Sequence, residues 1–233
     1  MRDRNRQPQR LGGEGTMTRI ARILAARGVD PASAQVHDTP EPIAALEAAE
    51  ARIPLRYRNA IGDHPQIEAW VRNVASEAVA PSKGARRQVR TGPSLLLVGT
   101  TGSGKTHLAY GAVRSLVGAE IGVRWHATTA ADMYASLRPR AGVDTERELL
   151  ALSRCPLLLL DDLGASKTSE WTEEITYRLV NHRYNQMLPT LITTNLAIRD
   201  LRQAVGDRVA SRLAEMTERI VLAGADRRRG PAA

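Results

Sequence analysis

Residues 94–109 read SLLLVGTTGSGKTHLA, and this stretch decides the fold. Residues 94–98 are a short, continuous apolar run, as expected of a strand buried on both faces of a parallel sheet. A glycine-rich turn follows, and a helix is predicted from Lys105 to about Val117. The turn, Gly99-Thr100-Thr101-Gly102-Ser103-Gly104-Lys105-Thr106, fits G-x-x-x-x-G-K-[ST] in the strand–turn–helix setting that pattern requires. Its glycines let backbone N–H groups turn inward around a polyanion, and the helix N-terminus adds a favourable dipole. In that pattern Lys105 reaches the β- and γ-phosphates of a nucleotide and the Thr106 hydroxyl ligates Mg²⁺. His107, directly behind the loop, is grouped with it as a nucleotide contact. Lys105 is one of three lysines (Lys83, Lys105, Lys167) in a chain that otherwise uses arginine.

Two further strand ends carry polar groups. Leu157–Leu160 runs into Asp161-Asp162. Two carboxylates at the end of a buried strand are costly without a task. Beside a phosphate loop, Asp161 is expected to hold Mg²⁺ and Asp162 to orient or deprotonate the attacking water; the plainer alternative is a polar strand end entering a loop. Thr193-Thr194-Asn195 closes another apolar strand. Ligands of open α/β sheets bind outside the carboxyl ends of strands, where Asn195 would face the γ-phosphate. Its rival role is capping the next helix.

Outward from these points, strands are expected at 94–98, 121–127, 156–162, 190–195 and 219–222. Helices are expected at 105–117, near 130–138, 145–153, 172–187 and 198–204, and at 206–216. The alternation implies a parallel sheet covered on both faces, an α/β fold. Before it, residues 1–16 read as a disordered basic tail, with Met17 a possible start. Residues 17–80 read as a small helical region, with helices over 43–53 and 65–79 and a linker at 35–42. Residues 81–92 form a basic stretch holding Lys83, Arg86, Arg87 and Arg90 without an acid; its alternatives are a solvated linker and a set of phosphate contacts.

Composition removes several classes. No apolar run approaches the ~18 residues of a membrane span, and the start, MRDRNRQPQR, has no apolar segment behind it, so a cytoplasmic protein is expected. The single cysteine, Cys155, excludes a disulfide framework and a Cys-rich zinc site. The charge of +8 suits nucleic acid, although the arginine and alanine bias also fits a GC-rich coding background. The lack of phenylalanine argues against base-stacking platforms.

LLLVGTTGSGKTHLA (95–109), LLLLDDLGASKTSEWTEE (157–174), LPTLITTNL (188–196) and GDRVASRLAEM (206–216) together resemble the DnaC/IstB-like branch of AAA+ ATPases. IPLRYRNA (53–60) is similar to the segment that precedes the ATPase core there. The resemblance covers about residues 93–228, the AAA+ domain it implies, with 229–233 a tail. It implies a five-stranded sheet in the order 5-1-4-3-2. Gly99–Thr106 become the Walker A loop, Asp161 and Asp162 Walker B, and Asn195 sensor 1. Arg208 falls at the arginine-finger position with Arg212 as second candidate, against the alternative that both make surface salt bridges. About ten residues follow the last strand, too few for the usual helical lid, so a sensor 2 arginine is missing or replaced by Arg227 or Arg228. The resemblance implies a homo-oligomer that uses ATP and Mg²⁺ and meets single-stranded DNA and a replicative helicase through 17–80. A transposition helper acting on duplex DNA with a transposase is equally compatible with the core motifs. A small-molecule P-loop kinase lacks support, because a GDR-x-x-SRL block stands where an acceptor lid is needed. An ATP-clamped assembly protein with little turnover is a further alternative.

Overall fold

The computed structural model describes residues 50–119 and 121–222. The tail at 1–16, the helical pattern from Met17, the linker at 35–42, most of the helix at 43–53, Arg227 and Arg228, and the tail at 229–233 lie outside the described residues.

Five strands, β1 (Ser94–Gly99), β2 (Trp125–Thr129), β3 (Leu157–Asp161), β4 (Thr190–Thr194) and β5 (Thr217–Leu222), form one sheet in the order β2-β3-β4-β1-β5. Every pairing is parallel, with Leu95 opposite Leu191 on one side and Glu218 on the other. This is the predicted α/β fold and the predicted strand order. Because side chains alternate across a strand, each leucine run serves two cores. Leu95, Leu97, Leu157 and Leu159 pack on one face with Ile67, Trp70 and Val74 of α1 (Pro65–Ser76) and with α2 (Lys105–Gly118). Leu96, Val98, Leu158 and Leu160 pack on the other. That face is covered by α3 (Ala130–Leu137), α4 (Thr145–Arg154), α5 (Glu170–Asn185), α6 (Ile198–Val205) and α7 (Asp207–Met216).

The second strand begins later than predicted. Residues 121–127 have strand composition, yet Gly122 donates to the Arg87 carbonyl and accepts from the Val89 amide. The backbone at Gly122 is thus used by the 79–89 segment, and pairing with β3 starts only at Trp125. The same segment pairs Val79 with Gln88 and buries Val89 in the core. Arg87 spends its guanidinium at the end of α1, donating to the carbonyls of Ala75, Ser76 and Ala78 at 2.8–2.9 Å. It therefore serves as a helix C-cap, a use that competes with the expected phosphate contact. Among the described residues no helix is long and apolar enough to cross a membrane.

Candidate nucleotide site

The site lies at the carboxyl ends of β1, β3 and β4. Gly102 and Gly104 take φ of 82° and 94°, values only glycine adopts readily, and they fold the loop into a cradle. A Cβ on Gly99 would stand 2.8 Å from both the Leu222 carbonyl and the Ser103 hydroxyl. Whereas Thr129, Asp144 and Ser169 cap α3, α4 and α5 with their side chains, α2 starts at Gly104 with no side-chain cap. Its first amides are left for an anion.

Lys105 is 5% exposed, and its ammonium donates to the carbonyls of Gly99 and Thr100, each at 2.9 Å, and to Asn195 Oδ1 at 2.6 Å. Asn195 Nδ2 donates in turn to Asp162 Oδ1 at 3.1 Å. The cap of α6 is Ala197, so the Asn195 side chain bridges Lys105 and Asp162 instead of capping the helix. Asp162 sits at φ 54°, held there by its amide's bond to Thr193 Oγ1 at 2.9 Å. That left-handed turn is uncommon outside glycine and asparagine-like residues, and it lets Asp162 reach the cavity after a strand that is otherwise buried.

Asp161 accepts from the hydroxyls of Thr106, at 3.1 and 3.2 Å, and of Thr193. Burial raises its carboxyl above the usual aspartate value; the hydroxyls pull it back, while the neighbouring Asp162 charge adds to the rise. A carboxylate so placed gains from a cation. Among the described residues no cluster of three or more His, Cys, Asp or Glu could hold a metal. The Thr106–Asp161 pair instead suits Mg²⁺, which takes few protein ligands and completes its shell from phosphates and water. The Ser103 hydroxyl, buried and without a partner among the described residues, is a further polar group of this cradle.

A cavity of about 380 Å³ is lined by Thr101, Gly102, Gly104, Lys105, Thr106, His107, Asp162 and Asn195, and by Arg56 and Tyr57. The last two were missed as site residues; the signal available was the Arg-Tyr pair inside IPLRYRNA. A short 3₁₀ turn, Leu55–Tyr57, brings them there. Tyr57 stacks on Tyr110 of α2 at 4.8 Å, Arg114 donates to the Ala60 carbonyl, and the Ile61 amide donates to His107 Nε2 at 3.3 Å. Gly111 permits this docking, since a Cβ there would fall 2.3 Å from Gly62 N. His107 thus lines the cavity and also fastens the segment that closes it.

The arginines of α7 are elsewhere. Neither Arg208 nor Arg212 lines this cavity. Arg208 lies over the Tyr177 ring at 5.8 Å, and Arg212 bonds Asn181 Oδ1 at 2.9 Å. Among the described residues neither forms a salt bridge, so the expected alternative for them is not what the structure contains.

The replicative helicase loader DnaC of Escherichia coli K12 is 27% identical over 125 residues, 52% of this chain and 49% of that protein. DnaI, the replicative helicase loader of Bacillus subtilis 168, is 29% identical over 82 residues, 33% of this chain and 26% of that protein. The chain spans about half the length of the DnaC relatives it matches. A crystal structure of the DnaC helicase loader superimposes with a TM-score of 0.59 at 28% identity, covering 73% of this chain and all of that one. AMPPCP-bound DnaA from Aquifex aeolicus, 20% identical, shares the fold with a TM-score of 0.53 over 70% of this chain and 46% of its own. The pattern of the IstB-like ATP binding protein family matches residues 84–223. That span is more than half of the chain and takes in the whole loop, both aspartates and Asn195, so the chain belongs to the IstB-like ATP-binding proteins.

Proposed function

We propose that this protein is an ATP-hydrolysing loader of a replicative helicase, acting in the cytoplasm as a homo-oligomer on single-stranded DNA. The observation that carries the reading is the joint likeness to a DnaC helicase loader, in sequence over 125 residues and in fold over 73% of this chain. Lys105 would neutralise the β- and γ-phosphates, and the amides at the start of α2 would take the remaining negative charge. The nucleoside end would lie toward Arg56 and Tyr57. Thr106 and Asp161 would hold Mg²⁺, which supplies charge neutralisation between phosphate oxygens. Asp162, tied through Asn195 to Lys105, orients the attacking water and accepts its proton. Arg208 acts on the nucleotide of a neighbouring copy, since it stands away from its own cavity. The N-terminal region, 17–80, meets the helicase, its described part anchored on α2.

The test is capture by the full chain with ATP. A replicative helicase should be retained with ATP and released on hydrolysis, and the Asp162→Asn protein should retain it without release. Retention of a transposase together with duplex DNA, and no helicase, would replace this reading with the transposition-helper one.

A further inference from the structure

The two arginines of α7 are one helical turn apart and are held very differently. Arg212 is engaged on several sides. Its Nε donates to Asn181 Oδ1 at 2.9 Å and one terminal nitrogen donates to the Arg208 carbonyl at 3.1 Å. Its guanidinium also lies 5.0 Å from the Tyr177 ring centre and 5.7 Å from that of Tyr184. Arg208 is exposed and rests over Tyr177 at 5.8 Å. Four carboxylates, Glu170, Glu173, Glu174 and Asp207, line the same cavity as Arg208, yet among the described residues it makes no ion pair with any of them.

The backbone under Arg208 is equally constrained. Gly206 takes φ 82°, and a Cβ there would fall 2.0 Å from Glu173 Oε1. The Glu173 carboxylate is the mobile end of its side chain and could swing aside, so it is the positive φ that calls for glycine at the start of α7. What remains free is the long arginine side chain, whose many rotamers must be narrowed before it can meet a phosphate at a fixed place. An aromatic face attracts a guanidinium without capturing its N–H donors, so the donors stay available to an incoming anion.

We propose that Tyr177 is the positioning residue for Arg208, and that Arg212 braces the Tyr177 ring and does not itself reach the nucleotide. This rests on the reading that Arg208 acts across a subunit interface. It assigns the two arginines different tasks, one presented outward and one spent within its own chain.

The experiment mixes two inactive full-length proteins. Lys105→Ala donates Arg208 but cannot bind nucleotide; Arg208→Ala binds nucleotide but lacks the arginine. Their mixture should regain ATP turnover. Tyr177→Leu placed in the Lys105→Ala donor should cut that turnover about tenfold, with KM for ATP unchanged, and Tyr177→Phe in the donor should restore it. The same Tyr177→Leu in the Arg208→Ala acceptor should leave turnover within twofold. An equal loss from either chain, or no loss from the donor, overturns the positioning role. Should Tyr177→Leu fail to fold, Arg212→Gln in the donor takes its place, with a threefold fall expected and an unchanged rate overturning the brace. A failure of the underlying reading looks different: Arg208→Ala alone turns over at the parent rate, and mixing adds nothing.

Discussion

The two ends of the parallel sheet each bury a cation, and the two cations have opposite tasks. At the carboxyl end Lys105 is 5% exposed; at the amino end Arg183 of α5 is 1% exposed. Arg183 donates to Thr190 Oγ1 at 2.7 Å and to the carbonyls of Cys155 and Pro189 at 2.7 and 2.8 Å. It also reaches those of Leu152 and Ser153 at 3.2 and 3.3 Å. Burial pushes its guanidinium down to about 10, still charged at neutral pH. Its fork closes on backbone that must be paired anyway, joining the end of α4 to the starts of β3 and β4. Lys105 has a single compact ammonium, and it borders a cavity. Its acceptors include two loop carbonyls and a side-chain amide, groups a phosphate can partly replace. Burial and charge are nearly equal in the two, so neither marks function. What separates them is whether the charge is satisfied by permanent backbone partners or stands beside space for an anion.

The sharpest way to break this comparison is to remove each charge in turn. Arg183→Leu leaves several buried carbonyls without donors. It should cost about 3–5 kcal/mol, seen as a thermal midpoint lower by roughly 8–15 °C. The molecules that remain folded should bind ATP as the parent does. A loss below about 1 kcal/mol would show that the buried fork is dispensable. Lys105→Ala should do the reverse, weakening ATP at least a hundredfold by calorimetry, about 3 kcal/mol, with the nucleotide-free midpoint nearly unchanged. If the midpoint falls as far as for Arg183→Leu, Lys105 is structural as well.

A smaller effect sharpens the electrostatics at the carboxyl end. The Tyr110 hydroxyl is raised to about 12 by burial first, then by the Asp161 charge and by Tyr57. Its folded value lies above the ordinary 10.0. The fold therefore favours the protonated form, and this stabilisation is complete below 10.0 and lost as pH rises through about 12. In an ultraviolet titration of the five tyrosines, Tyr110→Phe should delete the last step. Asp161→Asn should bring that step to lower pH, and an unchanged step would exclude the Asp161 charge as a cause.

The phosphate loop, the apolar strands and the order of helices were legible in the sequence because their signals are local. Glycines at fixed spacing, leucine runs and a strand–turn–helix order act over a few residues; Thr101, Gly102, Gly104–Thr106, Asp162 and Asn195 line one cavity, and Asp161 is joined to it through its bond from Thr106. Tertiary structure decided what depends on distant backbone. It began β2 at Trp125 because Gly122 pairs with the 87–89 segment, and it turned Arg87 into a cap for α1. It carried Arg56 and Tyr57 to the nucleotide cavity through a close approach that Gly111 permits. It also divided Arg208 from Arg212, two arginines in one motif, since both meet Tyr177 but only Arg212 finds Asn181 and Tyr184 on the helix packed beside it. Propensity and spacing cannot encode such choices, since each is settled by which donor meets which acceptor once the layers have packed.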